Sequence, residues 1–132
     1  MSMEEGELME NSILNTIKKM LGLSEEMKEF DEDILIHINS AFMILQQLGV
    51  GPEQEFMITG DEETWRDFME DDMRRFQSVK LYIYYKTKLG FDPYSSSSVN
   101  SQAQEFIKEL EWRLRIKSEL EEKENDKICN SE

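Results

Sequence analysis

Few residues of this chain could do chemistry. His37 is the one histidine, and an imidazole can act as a general base or as a metal ligand. It lies between Ile36 and Ile38 in an apolar periodic stretch, and spacing nominates no serine, cysteine or carboxylate to complete a nucleophilic triad with it. A structural or surface histidine is the simpler reading. Cys129 is the one cysteine, close to the C-terminus; one thiol closes no intramolecular disulfide, so it reads as an incidental tail thiol and nothing suggests secretion. Asp61, Glu62, Glu63, Asp71 and Asp72 could together hold a cation, but their order matches no D-x-D-x-D-G calcium loop. No glycine-rich phosphate loop occurs. An enzyme is not expected, nor a metal or other cofactor.

Charge is more informative than reactive groups. The 132 residues carry a net charge of −14. Residues 1–33 contribute −7, residues 34–52 nothing, residues 53–72 −8, residues 73–100 +4 and residues 101–132 −3. Independent binding to duplex nucleic acid is disfavoured, because it rests on a basic face that neutralises phosphates. The acidic segment and the basic island after it are either solvated faces or two complementary surfaces. No apolar run reaches the roughly 18 residues of a membrane span, and the acidic N-terminus lacks the basic flank of a signal peptide. A cytosolic, soluble protein is the expectation, with Met9 as a second candidate start.

Such residues need elements to position them. Two prolines and six glycines disfavour a turn-rich β fold and suit helices joined by a few loops. A first helix is predicted over Ser12–Leu21, capped by Asn11 or Ser12, with Ile13, Leu14, Ile17, Met20 and Leu21 on one stripe and Gly22 as its stop. A second spans Asp31–Leu48; acidic residues favour its N-terminus, and Ile34, Ile38, Ala41, Leu45 and Leu48 face the core. Residues 53–64 form an acidic loop with Phe56, Met57 and Ile58 as an apolar plug, and Thr64 caps a helical turn. A third helix is predicted from Met69 to Leu89, stopped by Gly90 and Pro93. Serines then offer caps at Ser97 or Ser98, with Ser101 and Gln104 as a second register, for a fourth helix over Val99–Glu122. Trp112 and Ile116 lie off its core stripe, so that face either closes the bundle edge or meets another molecule. The whole reads as an all-α fold, a small bundle of about four helices. Two long antiparallel helices are joined by shorter ones, with an acidic loop and a flexible, charged C-terminal tail.

The order of the segments "LGLSE", "FDEDILIHINSAFMILQQLGVG", "GDEETWRDFM", "VKLYIYYKTKLGFDPYSSS" and "ELEWRL" resembles the head–tail connector, or adaptor, proteins of long-tailed bacteriophages, the group of the HK97-type connector. The likeness covers about residues 11–116, with residues 1–10 as an acidic N-terminal extension and residues 117–132 as helix end and tail. It implies a structural virion protein of the head–tail junction, made in the bacterial cytoplasm. Its copies would form a homo-oligomeric ring beneath the portal, matching the portal's twelve-fold symmetry. The ring would extend the DNA channel, let DNA pass without specific binding, and offer a platform to the tail or stopper protein. Trp112, Arg113, Arg115 and Ile116 would then meet the portal.

A ring needs two unlike faces on each subunit. The charge pattern suggests Asp61, Glu62 and Glu63 of one copy against Arg74, Arg75 or Lys80 of the next, with Trp65 and Phe68 as apolar anchors. The competing reading is an acidic helical regulator, a nucleic-acid mimic that inhibits a DNA-binding protein; the basic island counts against it.

Overall fold

Ser12 accepts a hydrogen bond from the Asn15 amide (3.2 Å) and so starts a helix, as its sequence position predicts. The computed structural model describes residues 5–70 and 72–130, with only the backbone of residues 5 and 125–130. Among these residues the fold is all-helical: α1 (Glu5–Leu8), α2 (Ile13–Met20), α3 (Asp31–Gln47), α4 (Trp65–Met69), α5 (Phe76–Phe91) and α6 (Ser97–Asn130). The expected bundle is present, and its boundaries shift where local chemistry overrides pattern.

The predicted third helix is split. Glu70 adopts a positive φ of 56°, which an α-helix cannot contain. Asp72 then restarts the chain, accepting the Arg75 amide (3.3 Å) just ahead of α5. Gly90 does not stop α5, which runs on to Phe91; it serves to admit a ring. A Cβ there would lie 2.5 Å from the His37 imidazole. Ser96, rather than Ser97 or Ser98, caps α6, accepting the Val99 amide at 3.4 Å. The helix then continues to Asn130, past the expected end at Glu122.

Three long helices carry the core. His37, early in α3, meets Gly90, late in α5, so these two helices run antiparallel. Arg75 at the start of α5 donates to Ser118 of α6 (2.8 Å), and Tyr85 packs edge-on against Phe106 (5.3 Å), so α5 and α6 are antiparallel too. Ile34, Ile38, Phe42, Leu45, Val79, Tyr82, Ile83, Leu110 and Leu114 fill the space between them. Beneath lies an aromatic cluster. The rings of Phe42, Phe56 and Phe68 have centroids 4.5–5.2 Å apart. Gly51 crosses this cluster at φ +91°, where a Cβ would come within 2.3 Å of the Phe68 ring.

The N-terminal segment is woven in. Met9 is fully buried, so the core reaches into the stretch read from sequence as an extension. A short antiparallel pairing joins it to the start of α4. The Ile13 amide donates to Glu63 O (3.0 Å), the Trp65 amide to Asn11 O (3.3 Å) and the Arg66 amide to Met9 O (2.8 Å). The two cap residues Ser12 and Thr64 sit opposite each other in it. The connection from α2 to α3 is held from inside by Lys18, which is fully buried. Its ammonium donates to Glu25 O (3.1 Å) and Met27 O (2.5 Å) and lies 2.9 Å from the Asp31 carboxylate as an ion pair.

Candidate interaction surfaces

Asn39 sets the position of the acidic loop. Its side-chain amide donates to Ile58 O (3.0 Å) and its carbonyl accepts the Ile58 amide (2.8 Å), so the loop is bonded to α3 as a strand would be to its neighbour. Gln46 reinforces this from two turns further along, donating to Pro52 O (3.4 Å) and to Gln54 O. Phe56 is the apolar plug, packed on the core, whereas Met57 is 54% exposed.

The carboxylates that sequence grouped together have separate tasks. Asp61 pairs with Lys28 (3.7 Å). Glu63 accepts the Thr59 amide (2.8 Å) and hydroxyl (3.1 Å). Asp72 pairs with Arg75 (2.5 Å), and Asp71 lies outside the described residues. Among the described residues no three histidine, cysteine, aspartate or glutamate side chains come together as a metal group. Glu62 is exposed. The side chain of Cys129 lies outside the described ones.

Trp65 and Phe68, expected as anchors of a subunit contact, are interior residues with 0% and 1% exposure. The correction has a local cause. Thr64 and Asp67 form a capping box that begins α4, and the three-residue spacing of Trp65 and Phe68 turns both rings inward. The Trp65 indole N–H donates to the Thr16 hydroxyl (3.0 Å) and fastens α4 to α2. The expected basic partners also differ from one another. Arg75 is held by Asp72, by Ser118 and by Glu121 (3.2 Å). Lys80 lies over the Phe76 ring, 5.1 Å from its centroid, and Arg74 is exposed.

On α6, Trp112 is 62% exposed, Ile116 is half-buried and Leu120 is 56% exposed. Four-residue spacing puts all three on one stripe. A groove of about 300 Å³ runs beside it, between Arg75, Ser78, Trp112, Ile116 and Lys117. Arg113 pairs with Glu109 (2.6 Å), and Arg115 points away toward the end of α3, where a cleft of about 330 Å³ also holds Gly49 and Glu122. The four residues expected to meet the portal therefore occupy two sides of α6. Leu120 was missed because the sequence reading gave the stripe only to Trp112 and Ile116; its i, i+8 relation to Trp112 was the available signal.

Two tyrosines on α5 have altered acidity. Burial, then the charge and hydrogen bond of Glu111 (3.1 Å from the hydroxyl), raises the Tyr82 phenol well above its ordinary range. Burial, then its hydrogen bond with Tyr94, pushes Tyr84 up to about 12. Neither phenol is activated for chemistry near neutral pH. The surfaces offer contact and charge.

Comparison with known proteins agrees with a contact role. A family described as "Phage connector protein" matches residues 13–121. No curated protein and no solved structure matches the chain.

Proposed function

From the premise that this chain belongs to the phage connector protein family, whose members are structural rather than enzymatic, we propose that it acts as a ring subunit of the head–tail junction. In this reading it is a connector of the HK97 type, and its copies assemble beneath the portal with the portal's twelve-fold symmetry. The ring extends the DNA channel and carries the tail or stopper protein. The family match over residues 13–121 is the observation that carries the reading.

Two features of the fold support it. The stripe of α6 keeps Trp112 and Leu120 exposed, an apolar patch of the kind that marks an interaction site. We assign the Trp112–Ile116–Leu120 stripe to the portal, with Arg113 at its rim; Arg115 faces the α3 end of the bundle. The net charge of −14 suits a channel wall, since it repels phosphates and lets a duplex slide.

The test is light scattering and electron microscopy of the purified protein, alone and with its purified portal. Closed rings of uniform size, formed alone or on the portal, are expected. A monomer that neither closes nor binds portal would overturn the reading. Trp112→Ala is expected to weaken portal binding at least about tenfold, the usual loss when an exposed aromatic anchor is removed, with helicity unchanged.

A further inference from the structure

A groove of about 510 Å³ opens where α3, α5 and α6 meet. It is lined by His37, Lys86, Gly90, Gln104, Lys108 and Glu111, with apolar side chains at its floor. Gly90 shapes it, because only a residue without a Cβ lets the imidazole of His37 lie against α5. Lys86 stands one turn before Gly90, half-buried, and makes no ion pair or hydrogen bond among the described residues. His37 makes none either. Lys108 meets only Glu105, at 3.7 Å with both side chains exposed. Glu111, the one carboxylate of the lining, accepts the Tyr82 hydroxyl. A half-buried ammonium without a counter-ion is unfavourable, and a carboxylate brought to it from outside would be favoured.

The chain itself holds the matching group. Glu53, Glu55 and Glu62 of the acidic loop are exposed and make no ion pair among the described residues. That loop is fastened to α3 through Asn39, two residues from His37. His37 and Ser40 both line the groove and stand about 200° and about 100° around α3 from Asn39, so the loop and the groove lie on different faces of the helix. A neighbouring copy can therefore place its loop in this groove while its own groove stays open to the next copy. This is the geometry of a heterologous, repeating contact.

We propose that the groove formed by His37, Lys86, Gln104 and Lys108 is the receiving half of the subunit contact, and that it takes carboxylates of the acidic loop of a second copy. This assignment rests on the ring reading above. It moves the cationic side of the contact from Arg74, Arg75 and Lys80 to Lys86 and Lys108, on two separate helices.

Two variants test it, one with Lys86→Glu and Lys108→Glu, the other with Glu53→Lys, Glu55→Lys and Glu62→Lys. Assembly is followed by sedimentation velocity and electron microscopy, with portal present. Each variant alone is expected to assemble at least about tenfold more weakly than the native chain, because like charges face each other. An equimolar mixture is expected to restore closed rings, since each groove then meets a loop of opposite sign. A neutral pair, Lys86→Gln with Lys108→Gln, gives a smaller loss and serves if charge reversal unfolds the chain. Rings from both variants alone would overturn the groove assignment and leave the ring reading intact. A native chain that forms no ring would overturn both. Retention of the native chain on duplex DNA at moderate salt, lost in the Lys86/Lys108 variant, would also overturn the assignment by giving the groove to phosphate.

Discussion

Gly90 is read from sequence as a helix terminator, yet it and Gly51 are each fixed by a ring that sequence does not show. At Gly51 two constraints coincide, a φ of +91° and the Phe68 ring 2.3 Å from where a Cβ would stand. Gly51→Ala is expected to lower stability by about 3 kcal/mol, the sum of a left-handed backbone and an overpacked core. Urea unfolding that matches the native chain would disprove the close approach. Tyr82 makes a second expectation. Its folded-state pKa is raised by burial and by Glu111, so the stabilisation is complete below the ordinary phenol value of about 10 and is lost as pH rises through the folded value. Stability should therefore decline from about pH 10 upward, with Tyr82 ionising as helicity is lost. Absorbance near 295 nm and circular dichroism should move together. Phenolate from Tyr82 in an intact helix bundle would refute the assignment, as would ionisation of Tyr84 well below about 12.

Among the elements, periodicity made α2 and α3 legible nearly to the residue, because their apolar spacing and their stops agree with each other. It failed between residues 69 and 76, where the sequence keeps a helical rhythm but Glu70 turns the backbone out of it. A local φ is set by what packs above and below, and no one-dimensional pattern records that. The long end of α6 was lost for the opposite reason: the charged composition after Glu122 resembles a tail, yet the helix continues. Buried Lys18 is the element-scale feature with the largest expected effect. It ties α2 to the residue 22–30 connection and to the first residue of α3. Lys18→Met keeps the stem but leaves Asp31 and two carbonyls without their partner. A loss of about 3 kcal/mol is expected, as for other broken buried pairs, together with faster hydrogen exchange at residues 22–30. Native exchange in that connection would show that Lys18 does not hold it.

At the scale of the whole molecule, the separation of charge was visible in sequence and its use was not. The basic island of residues 73–100 reads as one surface, but Arg75 is satisfied within its own chain, Lys88 pairs with Asp92, and Lys80 lies over a ring. The groove of His37, Lys86 and Lys108 draws on three helices spread over some seventy residues, so only the fold assembles it. The pairing of Ser12 with Thr64 has the same long-range character, and its consequence is kinetic. Closing a loop of roughly fifty residues loses chain entropy before any contact rewards it, so this closure belongs late on the folding path, after α3, α5 and α6 have met. Interactions formed after the transition state slow unfolding and leave refolding unchanged. Thr16→Val, which removes the bond from the Trp65 indole across this closure, should steepen the loss of the native state in stopped-flow unfolding, with the refolding limb unmoved; a slowed refolding limb would place the closure early instead. The pairing of the two helix starts is thus a brake, setting how long the fold lasts rather than how quickly it is reached.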